Sequence, residues 1–478
     1  MYLLGVDLGT TGCKSMLFDE KGGIVAEQYI EYDLIMTPEG VEQNAGDWWE
    51  NVQRTIRAVT ESAAVPGEQI AALCVCSQGI AFVPVDRAGN PLYNALSWLD
   101  GRSTEQTARM RALFGDAEVY RRTGKNLLAY LLPQAAWLKR YRPEVMDKAD
   151  KLLMAHDYIV FRLTGEQTTD LSMAAGTLAF DIHEHCWIEE YIQAMGLDVS
   201  LFPRLGVMGE PVGCVRAEVA EALGLSEKTL VVMGAQDQRC ASIGAGIKEG
   251  VFTVSIGTAS AICAMVDAPL LDEQGRIPCC ALDRSHWVLE SVVDASGVAL
   301  KWLRNTLFPG ESFAGLDALA AQSPAGANGV SFYPHLTGAA NGAFWGLSLS
   351  TTRADIVRAV LEGVAMQIAL HIRQMERAGV WGDEIRIFGG GAKSPLWRQI
   401  IADATGKRVA APRTYETANL GAAALAGLGA GLLKDGASID AFVGEPAARF
   451  VPDPANADIY QELLAAYQIN NEAVQRRR

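Results

Sequence analysis

A chain of 478 residues, 49% hydrophobic and 20% charged, is too long for one core and has the material for two or more globular domains. Its 41 basic against 56 acidic residues leave a net charge of −15, which disfavours nucleic acid or an anionic membrane surface as the main partner. No run of about 18 uncharged apolar residues suggests a membrane span, Asp7 falls where a secretory leader would carry its apolar core, and nine scattered cysteines without a C-x-x-C pair suit reduced thiols in the cytoplasm.

The first element is an apolar strand from Tyr2 to Val6, interrupted by Asp7. Gly9-Thr10-Thr11-Gly12 then makes a tight turn, and Ser15 to Phe18 resumes a strand. Burying an unpaired carboxylate costs several kcal/mol or more, so something at that strand end is expected to want the negative charge. Backbone N–H groups of a Gly-Thr turn can point at phosphate oxygens, and threonine hydroxyls add donors without charge. A carboxylate at the end of the preceding strand can hold the Mg²⁺ that accompanies a nucleotide. On this reading Asp7 organises a cation and Gly9, Thr10, Thr11 and Gly12 cradle phosphates. Lys14 either reaches a phosphate or faces solvent.

A turn at Lys21-Gly22-Gly23 leads to a third strand, Ile24 to Ile30, and the stretch Gln28 to Gln43 is polar and looped. A helix is expected from Asp47, as its N-cap, to about Ala64. Ile70 to Cys76 and Phe82 to Val85 read as strands. Residues 100 to 225 are helix-rich, with turns at Arg142-Pro143 and Phe202-Pro203. His183-Glu184-His185-Cys186 has no second ligand pair among six histidines, so an exposed loop or helix start accounts for it better than a metal cluster.

In Thr229 to Gly246 a buried strand ends at Gly234, and Asp237 lies at or near the start of a small-residue helix. A carboxylate there serves either as an N-cap or as a general base aimed at a substrate. Gly234, Gly244 and Gly246 suit close packing and a hinge. Val251 to Val266 then repeats the opening pattern, with Gly257-Thr258 standing where Gly9-Thr10 stood. The echo indicates either two halves of similar architecture or turn chemistry common to hairpins. In Ile385 to Gly406 a strand runs into Gly389-Gly390-Gly391-Ala392, where bare backbone can receive a flat ring such as adenine, and Ser394-Pro395 caps a helix. Asn419-Leu420-Gly421 and Ala422 to Ala424 begin another small-residue helix suited to tight packing beside that site. Arg476-Arg477-Arg478 ends a solvated helix.

Two common alternatives fail on pattern. Gly124-Lys125 is followed by Asn126 and Gly406-Lys407 by Arg408, so no P-loop is present. Ser77-Gln78-Gly79 and Ser296-Gly297 lack the G-x-S-x-G frame of a hydrolase elbow.

Taken together, "GVDLGTTGCK", "GAQDQ", "SIGT", "FGGGAKSPLWRQIIAD" and "NLGAAALAG" resemble the FGGY carbohydrate kinases of the actin-like ATPase superfamily, in order along the whole chain. The resemblance implies an α/β protein of two ribonuclease-H-like domains, 1–244 and 245–478, flanking a deep cleft. ATP is then expected on the second and a sugar mainly on the first. It makes Asp237 the general base for the sugar hydroxyl, puts Asp7 in the Mg²⁺ region, gives the phosphates to Thr10, Thr11 and Thr258, and lays adenosine against Gly390, Gly391 and Ala392, with Asn419 nearby. A homodimer is in keeping with the family.

Within it the chain is most similar to xylulokinases, whose Trp-x-Asp-x-Arg pattern recurs as Trp98, Asp100 and Arg102. It departs from them at the sugar site, reading Gln78-Gly79-Ile80-Ala81 where they typically read Gln-Met-His-Gly. A site that loses a hydrogen-bonding group changes what it discriminates. Gln78, Gly79, Asp100 and Arg102 are the candidate sugar contacts, and Trp98 supplies either an apolar wall or core packing. The expected reaction is in-line phosphoryl transfer from ATP to a primary hydroxyl, with D-xylulose the favoured acceptor. Ribulose, gluconate, erythritol, glycerol or a signalling sugar are its alternatives, and a nucleotide-switched binding protein of the actin or chaperone kind is the rival from another class.

Overall fold

Asp7 belongs to a strand, Tyr2–Leu8, in which Leu3, Leu4, Val6 and Leu8 are all buried. The strand turns antiparallel into Gly12–Asp19, which places Asp7 opposite Lys14, and Gly12–Asp19 pairs in turn with Ile24–Glu31. On its other side Tyr2–Leu8 runs parallel to Ile70–Ser77, and that strand runs parallel to Leu230–Val232. Pro211–Cys214 closes this six-stranded sheet antiparallel. The helix Ala45–Ala63 buries Trp48, Val52, Ile56 and Val59, a spacing that presents one apolar stripe to the core.

The computed structural model describes residues 1–337 and 341–475, and Arg476-Arg477-Arg478 lie outside the described residues. The chain divides into two compact units that are not contiguous halves. The first comprises 1–246, 266–288 and 416–444; the second comprises 247–265, 289–415 and 445 onward. The physical reason for one crossing is the helix Thr417–Gly429, whose glycines and alanines let it pack at backbone distance against first-unit elements.

In the second sheet six successive strands run Trp287–Val293, Ser260–Val266, Gly250–Ser255, Gly382–Phe388, Arg408–Ala411 and Ala448–Phe450. The hairpin Gly250–Ser255/Ser260–Val266 is antiparallel, Gly382–Phe388 and Arg408–Ala411 follow in parallel, and Ala448–Phe450 is antiparallel at the edge. That is the strand order of the first sheet, so the Gly-Thr echo marks a repeated architecture rather than turn chemistry alone. The mixed α/β arrangement expected from the sequence is therefore present.

Local differences have local causes. Asn44, not Asp47, caps the first long helix, because its side chain accepts from Gly46 N at 2.9 Å. The stretch Gln28 to Gln43 is not wholly looped: Val41–Gln43 forms a short strand paired with Ala95–Leu96. Pro143 opens a short helix instead of sitting in a turn, as suits a residue with a fixed φ and no N–H at the first helical position.

Candidate active site

Three neighbouring parallel strands of the first unit end together, and the chemistry-bearing residues stand at those ends. Asp7 and Leu8 pair with Cys76 and Ser77, and Ser77 forms a bridge with Gln236. Asp7, Gln78-Gly79 and Gln236-Asp237 thus share one sheet edge, as ligand-binding residues do in open α/β sheets.

The turn after Asp7 is held by its own acceptors. Gly9 O accepts from the Tyr32 hydroxyl, Thr10 O from Gln43 Nε2 at 2.8 Å, Thr11 O from Tyr32 N at 3.0 Å, and Gly12 O from Gly9 N at 2.9 Å. A turn whose four carbonyls are occupied by protein donors can offer N–H and O–H groups to an anion without carbonyl repulsion. The Gly9 N–H itself is used inside the turn. In the second unit the same device recurs: Gly257 O accepts from Gly297 N at 2.8 Å, Thr258 O from Ser296 N at 3.0 Å, and Ala259 O from Gly257 N at 3.0 Å. Ile256 O accepts from Gly391 N, which ties the second Gly-Thr turn to Gly389–Ala392. Gly389 has φ +86, the left-handed region open to glycine. Gly390 has open space where a Cβ would stand, while the Ala392 methyl is buried.

Asp7 is partly buried, and desolvation pushes its carboxyl up to about 6, opposed by a hydrogen bond from Cys76 Sγ at 3.6 Å. A carboxylate raised this way gains from a bound cation, the property expected of a Mg²⁺ ligand. Lys14 does not face open solvent: its ammonium lies 3.0 Å from both Glu27 Oε2 and Glu416 Oε1. Burial opposes its charge, but the two glutamates hold its pKa above the usual lysine value.

Gln78 is buried; its Nε2 donates to Gln43 Oε1 at 2.9 Å, while its buried Oε1 has no partner among the described residues. An orphaned buried acceptor of this kind fits a site that waits for a hydroxyl. Trp98 is exposed, which removes core packing as its role, and its Nε1 donates to Thr10 Oγ1 at 3.0 Å. Asp100 and Arg102 are spent on each other and on the scaffold. Arg102 Nε donates to both Asp100 oxygens, its Nη2 pairs with Glu42 at 2.9 Å, and its guanidinium lies 4.9 Å above the Trp137 ring. Asp100 Oδ2 also accepts from Val41 N at 2.7 Å. Their place in the structure is to fix the strand that carries Gln43.

Asp237 is the first residue of the helix Asp237–Gly244, with Gln236 at the cap position, so it is not itself the N-cap. The positive end of the helix favours the charged carboxylate there. The helix packs against Thr417–Gly429 almost backbone to backbone. A Cβ on Gly244 would stand 2.0 Å from Thr417 O, and one on Gly421 1.9 Å from Cys240 O. Asn419 is buried in the first unit, its Nδ2 donating to Gly5 O at 3.1 Å and Lys14 O at 2.9 Å, so its amide is committed to the opening hairpin. Gly389–Ala392 belong to the second unit.

At the remaining sequence candidates, His183 Nε2 meets Arg121 O at 2.9 Å and His185 stacks on Trp287. Among the described residues no three His, Cys, Asp or Glu side chains gather to hold a metal, and no helix is long and apolar enough to cross a membrane. Sequence reasoning missed Gln43 and Gln236. Gln236 stands in the GAQDQ segment directly before Asp237, the signal that could have found it, whereas Gln43 reaches the site only through its hydrogen bonds to Thr10 O and Gln78.

Comparison with known proteins identifies the family. Residues 2–244 match the N-terminal domain and residues 252–430 the C-terminal domain of the FGGY family of carbohydrate kinases. The chain is 32% identical to a xylulose kinase of Bacillus subtilis, over 98% of this chain and 96% of that one. It is 29% identical to a gluconokinase of the same organism, over 98% and 94%. Among solved structures, a ligand-bound xylulose kinase from Lactobacillus acidophilus superposes with a TM-score of 0.93 at 27% identity, covering 99% of this chain and 98% of that one.

Proposed function

The chain belongs to the FGGY family of carbohydrate kinases, and from that premise we propose that it transfers the γ-phosphate of ATP to a primary hydroxyl of D-xylulose, giving xylulose 5-phosphate. The observation that carries the reading is the shared sheet edge of Asp7, Gln78-Gly79 and Gln236-Asp237, which sets an anion-tolerant turn beside a carboxylate and an unmatched amide acceptor. The first unit takes the sugar. Gly257, Thr258 and Gly389–Ala392 of the second take the nucleotide.

In this mechanism Asp237 accepts the proton of the attacking hydroxyl as the bond to phosphorus forms. Gln78 orients the sugar through Oε1, and Trp98 offers its ring as an apolar wall. The Thr10 and Thr11 hydroxyls, with Thr258, donate to phosphate oxygens whose charge grows in the transition state. Mg²⁺, when bound, neutralises phosphate charge, and Asp7 is the residue that would hold it. Asp100, Lys14 and Asn419 act by position, their polar groups held by the scaffold, and Arg102 does so through its pairing with Asp100 and Glu42.

A neutral keto-sugar is favoured over an aldonate by charge. Gln43, Gln78 and Gln236 are neutral amides, and Arg102 and Lys14 are each held between carboxylates. Arg239, buried in the helix after Asp237, lies near Cys279. The nine cysteines are free thiols, in keeping with a cytoplasmic enzyme. The test is ADP release with Mg²⁺ and ATP across D-xylulose, D-ribulose, D-gluconate, erythritol and glycerol. D-xylulose should raise the rate furthest above the sugar-free background; a larger response to gluconate would reverse the assignment.

A further inference from the structure

The sugar edge carries a second unmatched acceptor. Gln236 Oε1 is buried with no hydrogen-bond partner among the described residues, as Gln78 Oε1 is. The two residues flank Gly79: Gln78 precedes it in the chain, and a Cβ on Gly79 would stand 3.4 Å from Gln236 Cγ and 3.5 Å from Gln236 Nε2. Both are ordinary contact distances, so Gly79 and the Gln236 side chain are neighbours at this strand end.

The next residue explains why another polar group is needed. Ile80 has φ +53, a strained conformation for a β-branched residue, and is only 6% exposed. Its side chain belongs to the core cluster with Phe82, Met173 and Leu178. Position 80 is therefore turned into the core and offers a ligand no polar atom.

We propose that Gln236 is a substrate-contact and specificity-determining residue, its carboxamide oxygen and that of Gln78 accepting from two hydroxyls of a neutral sugar on either side of Gly79. Two acceptors call for two donors, so polyhydroxylated neutral substrates are selected and a carboxylate at this position is rejected. A buried acceptor left without a donor is costly, which makes the discrimination strong. The backbone of Gln236 is anchored separately, its N–H donating to Ser172 Oγ at 3.0 Å, so side-chain variants keep the strand end in place. The inference rests on the sugar-kinase reading above.

The test measures KM for the best sugar and for ATP, with sugar binding by calorimetry, in the wild type, Gln236→Ala and Gln236→Leu. Gln236→Leu fills the space without the acceptor. Both variants should raise the sugar KM about tenfold or more and weaken sugar binding to match, with the ATP KM within twofold. Wild-type affinity in Gln236→Leu would reduce the side chain to a packing role and overturn the proposal. Unchanged affinity in Gln236→Ala, with the wild type turning over a sugar, would overturn it while leaving the kinase reading intact. A wild type that neither binds nor phosphorylates any sugar in the panel would sink both.

Discussion

The indole N–H of Trp98 donates to the hydroxyl oxygen of Thr10 at 3.0 Å. A threonine that accepts one bond has its own hydrogen left to direct, and that hydrogen is the one an anion at the turn would receive. Gln43 supports the same residue from the other side by donating to Thr10 O while it accepts from Gln78. The Gly9–Gly12 turn and the strand end that carries Gln78 are therefore joined by a continuous set of hydrogen bonds.

Trp98→Phe keeps the apolar ring and removes the donor. The KM for ATP should rise about three- to tenfold, the size of one modest hydrogen bond, with the sugar KM changed less. Steady-state kinetics with each substrate varied in turn decides it; an unchanged ATP KM would contradict the role given to Thr10.

Asp7 is held near 6 against an ordinary 3.8, chiefly by desolvation. With its pKa raised, the folded chain keeps a proton that the unfolded chain releases between about pH 4 and 6. Stability therefore falls as pH rises through that window, and the whole cost stands above about pH 6. Asp7→Asn should melt higher than the wild type at pH 7, by up to about 3 kcal/mol, with the difference fading toward pH 4. The same variant should need about tenfold more Mg²⁺ for half-maximal rate. A variant no more stable at pH 7, with the same metal response, would place the cation elsewhere.

Gly244→Ala forces a methyl against Thr417 O, where only 2.0 Å is available, and must part the helix that begins with Asp237 from the helix that carries Asn419. A loss of about 1–3 kcal/mol is expected, with kcat falling more than either KM because the helix bearing the base shifts. Gly436→Ala, where nothing lies within 4 Å, should leave Tm unchanged or raise it slightly. Equal effects from the two substitutions would deny the close packing its role.

Much of this was readable before folding because the informative residues break local rules. An acid in an apolar strand and a Gly-Thr turn that recurs half a chain later identify Asp7, Thr10 and Thr258 as unusual wherever they lie. Gly389–Ala392 announce themselves in the same way. What stayed hidden depends on partners distant in sequence. Asp100 and Arg102 look like open polar ligands until Val41 and Glu42 occupy them. Lys14 looks solvated until Glu416 arrives from another segment. Asn419 looks like part of a nucleotide site until its amide is found on Gly5 and Lys14.

Asp237 as the base of a sugar kinase is tested most directly by the phosphotransfer rate of Asp237→Ala with D-xylulose, alongside its ATP affinity and melting curve. The account predicts a loss of about 10²–10⁴-fold or more in rate, with ATP binding and fold retained. A variant that keeps more than about a few per cent of wild-type activity, outside the range that removal of a general base produces, would contradict it.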